Sequence, residues 1–140
     1  MKKLVAFVLA LLLTVCFCGC KDQQPEETTP LEKGNVLLEE GNVKNVSVTS
    51  QPAGYEYSFS ADRAKEIVDY LLGLHLSADV EGDPEKLVGM TWVISLEYEN
   101  GDVATVYHFG RFIRAENGLW YQMVYEEAIR FETLLYELQN

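Results

Sequence analysis

Large apolar residues occupy every second position between Trp92 and Tyr98, with polar or smaller residues between them. This period of two predicts a β-strand with one buried face. Asn100-Gly101 follows, and Asn-Gly favours a two-residue turn, which places Tyr98 opposite Val103. The large side chains of both strands then share the buried face. The residues predicted on the more polar face are Val93, Ser95, Glu97, Ala104, Val106 and His108.

The same reasoning predicts two more hairpins. Residues 46–49 and 55–59 alternate in polarity and flank Gln51-Pro52-Ala53-Gly54, a run typical of turns. A second Asn-Gly pair, Asn117-Gly118, predicts a hairpin across residues 111–123. The facing of this last hairpin stays open, because large residues are adjacent in both of its strands.

Two other segments show the helical period. Ser60 is a candidate N-cap for a helix that ends before Gly73, and a second helix is predicted from about Tyr125 to Leu138. The element order is therefore β-β-α-β-β-β-β-α. It predicts an α+β fold, a single antiparallel β-sheet with two amphipathic helices packed on one face. The residues predicted to face the sheet are Ala64, Ile67, Val68, Leu71 and Leu72 in the first helix and Ala128, Phe131, Leu134, Leu135 and Leu138 in the second.

The segment before this domain is polar. Residues 20–41 are rich in Asp, Glu, Gln, Pro and Thr, a composition that cannot bury enough apolar surface to order itself. We therefore predict an acidic flexible tether at 20–41 and a globular α+β domain at 42–140. One apolar island within the tether, Val36-Leu37-Leu38, could dock on the domain.

The first 20 residues have the layout of a secretory signal. A basic start, Met1-Lys2-Lys3, precedes an uncharged and mostly apolar run that ends in Phe17-Cys18-Gly19-Cys20. This ending resembles the lipobox of bacterial lipoproteins of the Gram-positive type. The resemblance implies that residues 1–19 are a signal peptide, that Cys20 carries palmitate-type lipid, and that the protein is held at the extracytoplasmic face of the cell membrane. The alternative is an uncut transmembrane anchor, although a helix needs about 20 apolar residues to span a bilayer and this run is slightly shorter.

Charge and cysteine content exclude several classes of function. Removal of Lys2 and Lys3 from the 11 basic residues leaves 9 against 22 acidic ones, so the net charge is about −13. Such a surface repels nucleic acid and anionic headgroups, so we expect the lipid on Cys20 to bind the membrane. All three cysteines lie at positions 16, 18 and 20, so the domain has no thiol for a disulfide, a nucleophile or a Cys-rich zinc site.

The densest acidic stretch is the loop 79–85, which contains Asp79, Glu81, Asp83 and Glu85. Alternating carboxylates could hold Ca²⁺. The stretch fails the EF-hand pattern, because Pro84 stands where the turn glycine belongs when Asp79 is counted first. A solvated loop is the favoured interpretation, and a weak site for a cation or a basic ligand is the alternative.

The two histidines, His75 and His108, are candidates for a zinc or acid–base pair. His75 is predicted at the end of a helix, where a cation suits the helix dipole, and His108 on the polar face of the sheet. The sequence contains no nucleophile elbow, phosphate-binding loop or His-Glu-x-x-His motif. We therefore expect no catalytic residues, no cofactor and no metal ion.

Aromatic residues are concentrated in the second half of the chain. Trp120 and Tyr121 are adjacent beside a tight turn, so both cannot point inward, and we expect one at the surface with Arg111 or Arg114 stacked on it. Exposed aromatic and Arg residues are typical of protein interfaces. These four residues form the candidate interaction surface, and a half-buried ring covered by an Arg stem is the alternative.

The pattern of the domain, with Trp92-Val-Ile-Ser-Leu-Glu-Tyr-Glu-Asn-Gly-Asp and then Asn117-Gly-Leu-Trp-Tyr before a closing helix, is similar to small extracytoplasmic domains of Gram-positive lipoproteins. The resemblance implies a domain of unknown function without catalytic residues to transfer. We expect a lipid-anchored, non-enzymatic interaction module with a protein or peptide partner outside the membrane. The alternative is a sensor for a cation or a basic ligand through loop 79–85.

Overall fold

The computed structural model describes residues 30–38 and 41–138. These residues form one eight-stranded antiparallel sheet and two α-helices, which confirms the predicted α+β class. The predicted signal peptide, Cys20 and much of the predicted tether lie outside the described residues. In the described ranges, no helix combines the length and the apolar character needed to cross a bilayer.

The sheet is continuous, and every strand pair is antiparallel. Its spatial order is β1-β4-β8-β7-β6-β5-β2-β3. The strands are β1 (Glu32–Lys33), β2 (Val43–Gln51), β3 (Tyr55–Ser58), β4 (His75–Ser77), β5 (Thr91–Tyr98), β6 (Val103–Phe109), β7 (Phe112–Arg114) and β8 (Trp120–Met123). The helices are α1 (Ala61–Gly73) and α2 (Tyr125–Glu137), with single 3₁₀ turns at Gly34–Leu37 and Pro84–Lys86.

Both helices pack on the same face of the sheet, here called the inner face, as the sequence predicts. In α2 the predicted residues all turn inward, and Phe131 is completely buried. In α1 the prediction is wrong for Leu72, which is 42% exposed. Leu72 lies about 80° from Ala64 around the helix at 100° per residue, so it is the predicted residue farthest from the centre of the apolar stripe.

The first Asn-Gly hairpin has a three-residue loop, so the predicted register of β5 and β6 is wrong. The Tyr98 N–H donates to the Asp102 carbonyl (2.9 Å), and the Gly101 N–H donates to the Tyr98 carbonyl (3.0 Å). Gly101 has a φ of +91°, as expected for a type I turn followed by a left-handed residue. The extra loop residue shifts the pairing by one position. The facing pairs on the inner face are therefore Trp92 with His108, Ile94 with Val106 and Leu96 with Ala104.

This shift reverses which β6 residues are buried, because the side chains of a strand alternate between faces. His108, Val106 and Ala104 were predicted on the polar face and lie in the core. Tyr107 and Phe109 were predicted in the core and lie half-buried on the opposite face. The large aromatic side chains of β6 therefore line the face that the helices leave uncovered.

The second Asn-Gly hairpin repeats the same loop. Its triplet, Glu116-Asn117-Gly118, matches Glu99-Asn100-Gly101, and Gly118 has a φ of +81°. In each loop the Asn Oδ1 accepts a hydrogen bond from the backbone N–H two residues later, at 2.9 Å. This side-chain bond favours the three-residue loop over the two-residue turn.

A short part of the predicted tether belongs to the fold. Strand β1 pairs with β4, and the sequence analysis predicted neither of these two short strands. The Gly34 N–H donates to the Leu74 carbonyl (3.0 Å), and Leu37 of the apolar island is 3% exposed. A Cβ on Gly34 would lie 1.6 Å from the Leu71 carbonyl oxygen, so only glycine allows this approach.

Candidate interaction surface

The face of the sheet opposite the helices, here called the outer face, brings aromatic and basic side chains together. Tyr107 on β6 lies directly opposite Arg114 on β7, and Arg114 lies opposite Trp120 on β8. Residues that face each other across neighbouring strands are in contact distance. Three adjacent strands thus place an arginine between two aromatic side chains.

Arg114 is stacked between these two rings. Its guanidinium carbon lies 4.4 Å from the centroid of Tyr107 and 5.1 Å from that of Trp120. The side chain is 29% exposed. Cation–π contacts of this kind fix the plane of a guanidinium while leaving its N–H groups free to donate at its edge.

A connecting segment, residues 78–90, crosses the outer face between β4 and β5, and we call it the strap. The Glu81 N–H donates to Gln122 Oε1 on β8 (3.0 Å), and the Glu81 carboxylate accepts from Arg111 (2.7 Å). Glu85 Oε1 lies 3.8 Å from the Arg114 guanidinium. At its far end the strap lies against Phe109, whose ring a Cβ on Gly89 would meet at 3.0 Å. The strap therefore covers part of the aromatic and basic surface.

Of the four residues predicted to form this surface, the structure places three on the outer face. Trp120 and Arg114 are stacked, and Arg111 lies 5.5 Å from the ring centroid of Phe112 while it binds the strap. Tyr121 faces inward and is 6% exposed, so it belongs to the core. The sequence alone did not reveal the part played by Tyr107, because the predicted register had turned it inward.

The carboxylates of loop 79–85 do not converge on one point. Glu81 and Glu85 face the two arginines, and Asp83 lies 2.9 Å from Lys86. Among the described residues, no group of three or more His, Cys, Asp or Glu side chains is arranged to hold a metal ion. The acidic character of this loop is thus directed toward basic side chains of the same chain.

His108 is completely buried, which corrects its predicted place on the polar face. Its Nε2 lies 2.7 Å from the Gly110 carbonyl, whereas its buried Nδ1 has no hydrogen-bond partner in the described part of the chain. Burial lowers the pKa of His108 to about 4, and the hydrogen bond to Gly110 opposes this shift only in part. His108 is therefore a neutral core residue at pH 7.

His75 forms a polar relay that sequence reasoning missed. Glu127 at the start of α2 accepts from the backbone N–H of His75 (2.8 Å) and lies 2.7 Å from its Nδ1. Lys33 Nζ lies 2.6 Å from Nε2 of the same ring. A carboxylate commonly orients an imidazole in this way, and here the relay joins β1, β4 and α2. It ties the N-terminal segment to the domain.

Glu127 also interacts with Tyr70, through its backbone carbonyl and through the charge of its side chain. The Tyr70 hydroxyl donates to the Glu127 carbonyl (2.8 Å), and its ring stacks on Phe131 with centroids 5.2 Å apart. Burial, with a contribution from the nearby Glu127 charge, raises the pKa of Tyr70. Tyr70 is therefore a neutral hydrogen-bond donor that holds α1 against α2.

Comparison of the chain with protein-family models, with curated proteins and with solved structures found no match.

Proposed function

We propose that this protein is a lipid-anchored, extracytoplasmic interaction module without enzymatic activity, and that it binds a protein or peptide partner through the outer face of its sheet. The observation that supports the binding role is the stacking of Arg114 between Tyr107 and Trp120. Arg and Trp are enriched among the residues that dominate interface energies. The lipoprotein part of the proposal depends on the lipobox-like residues that end in Cys20.

The open outer face is the second support. Helices cover the inner face, whereas the outer face is crossed by the strap, which contributes no fully buried residue. Exposed ion pairs such as Glu81 with Arg111 contribute little to stability, typically below about 1 kcal/mol. The strap is therefore held weakly enough for a partner to reach the surface beneath it.

Site-specific photocrosslinking on living cells tests the binding role. A photoreactive residue at Val103, which is 54% exposed on the outer face of the same strand as Tyr107, should crosslink to a partner. The matched control carries the same residue at Leu72, which is 42% exposed on the helical side. A partner captured equally well from both positions, or from neither, would contradict binding through the outer face.

Metabolic labelling tests the anchor separately. Cells supplied with a radioactive fatty acid should label the wild-type protein, and Cys20→Ala should abolish the label and release the domain from the membrane fraction. Cys18→Ala is the matched control and should leave the label in place. Label that persists in the Cys20→Ala protein would rule out lipidation at this residue.

The alternative, a sensor for a cation or a basic ligand through loop 79–85, has less support. Three of its four carboxylates already face basic side chains of the chain. Titration with millimolar Ca²⁺, followed by NMR of the loop amides, decides this alternative. Saturable shifts confined to the strap would favour it.

A further inference from the structure

Arg114 has hydrogen-bonding capacity that the described residues leave unused. Its guanidinium donates no hydrogen bond within this part of the chain, and its closest carboxylate oxygen, on Glu85, lies 3.8 Å away. A guanidinium has five N–H donors in a planar fork that matches a carboxylate. Stacking on Tyr107 and Trp120 has already oriented this fork, so a bound carboxylate would find it preorganised.

A second donor beside Arg114 also lacks a partner. The Nε1 of Trp120 is buried from solvent and has no hydrogen-bond partner within the described residues. A buried donor without an acceptor costs about 1–3 kcal/mol. A carboxylate bound at Arg114 could accept from this indole N–H as well. Two unsatisfied donors, one of them charged, thus lie on the same small area of the outer face.

The strap shows which ligand chemistry the surface accommodates. It is an acidic segment that lies across three strands and presents Glu81 to Arg111 and Glu85 to Arg114. Glu81 lies at hydrogen-bond distance from Arg111 (2.7 Å), whereas Glu85 is too far from Arg114 (3.8 Å) to accept a hydrogen bond. The strap therefore resembles an imperfect ligand that belongs to the chain itself.

On this basis we propose that the partner is an acidic polypeptide segment whose carboxylates replace those of Glu81 at Arg111 and Glu85 at Arg114 and also accept from the unpartnered Trp120 indole N–H. The strap acts as a built-in competitor for this site. Displacement also removes the strap's own negative charge from the surface, which offsets the repulsion that an acidic partner meets at an acidic domain. This inference rests on the proposed function, since it specifies the partner of the same outer face.

The experiment supplies the strap sequence in trans. A dye-labelled synthetic peptide that copies residues 78–90 is titrated into the full-length chain in neutral detergent, by fluorescence anisotropy at low and raised ionic strength. The combined variant Glu81→Gln with Glu85→Gln weakens the built-in competitor, and should bind the peptide up to about fivefold more tightly than the wild type. Added salt should weaken binding, because exposed charges are screened.

Five controls assign the binding to the site and to its ligand chemistry. In the combined variant, Arg114→Lys should weaken binding about tenfold, because Lys cannot replace the planar fork. Lys44→Gln removes a positive charge from an exposed pair with Glu97 and should leave binding unchanged. The Trp120 indole N–H signal in the NMR spectrum, assigned with Trp120→Phe, should shift when the peptide binds. A peptide with Gln at both Glu positions should bind weakly, and inorganic phosphate should not displace the acidic peptide.

Each contrary result has a definite meaning. Equal affinity in the Arg114→Lys and Lys44→Gln proteins, or an unmoved Trp120 signal, would overturn the assigned site. No binding of the acidic peptide to the combined variant would overturn the acidic partner, and efficient displacement by phosphate would assign the site to small anions instead. If the Val103 photocrosslink still captures a partner in these cases, the proposed function stands and only this inference fails.

Discussion

The imidazole of His108 meets the phenyl ring of Phe131 edge-on, with ring centroids 5.1 Å apart and ring planes at 64°. This contact places an ionisable group in the centre of the core, directly below α2. Edge-to-face contact is one of the preferred arrangements of aromatic pairs. Protonation of His108 would introduce a charge where no described residue offers an acceptor to Nδ1.

We therefore predict an acid-sensitive core. The unfolded chain takes up a proton on His108 near pH 6.5, whereas the folded protein does so only near its pKa of about 4. Between these values the unfolded state binds more protons, so stability falls as the pH is lowered, by up to about 3 kcal/mol for this residue. Urea unfolding of the wild type and of His108→Leu, at neutral and acidic pH, should show a smaller loss in the variant.

The control for this prediction is His75→Gln, which removes the other histidine and should keep the acid-sensitive component of His108. The comparison uses the difference between the two pH values, because His108→Leu also loses the hydrogen bond to Gly110 at every pH. An equal loss of stability on acidification in wild type and His108→Leu would show that carboxylates alone set the pH dependence.

Gly34 should be essential for attachment of the N-terminal segment. Gly34→Ala forces a Cβ to within 1.6 Å of the Leu71 carbonyl oxygen, so the N-terminal segment must move away from α1, which disturbs the pairing of β1 with β4. We expect a loss of about 1–3 kcal/mol in the free energy of unfolding. Hydrogen exchange should also show faster exchange at residues 32–37.

Gly73→Ala is the matched control, because a Cβ on Gly73 meets no atom within 4 Å and the residue ends α1. Gly73→Ala should either stabilise the protein or leave its free energy of unfolding unchanged, with a difference of at most about 1 kcal/mol. If Gly34→Ala behaves like this control, the N-terminal segment does not pack on α1 as the structure indicates.

The glycines of the two equivalent loops should contribute similarly to the stability of the folded protein. Gly101→Ala and Gly118→Ala place a Cβ at φ values of +91° and +81°, which should cost about 1–2 kcal/mol each. Both sites are otherwise open, so backbone strain is the dominant effect. Thermal or chemical unfolding of the two variants measures this cost. A loss in only one variant would contradict the equivalence of the loops.

The ion pairs of the strap should hold the strap in place and contribute little to the stability of the whole domain. Glu81→Gln combined with Glu85→Gln should change the global free energy of unfolding by less than about 1 kcal/mol, because both pairs are exposed. Amide exchange should become faster at residues 78–90 and remain unchanged in β5 and β6. A global loss as large as that predicted for Gly34→Ala would show that the strap is part of the core structure.

The sequence by itself determined the α+β class, the two helices and the location of three hairpins. These features depend on interactions between near neighbours, because the period of two, the helical stripe and the turn residues act locally. For the same reason it indicated that one of Trp120 and Tyr121 lies at the surface with Arg111 or Arg114, since adjacent large residues in a strand point to opposite faces. The choice of Trp120 came from the structure.

Only the tertiary structure decided the register of β5 and β6, the strands β1 and β4, and the path of the strap. The register depended on whether the hairpin loop has two or three residues. A two-residue loop would bury Tyr107, whereas the observed three-residue loop buries His108. Strands β1 and β4 contain two and three residues, too few to show a period. The contacts of Glu81 and Glu85 with Arg111 and Arg114 span 30 and 29 positions in the sequence, and only folding of the sheet brings them together.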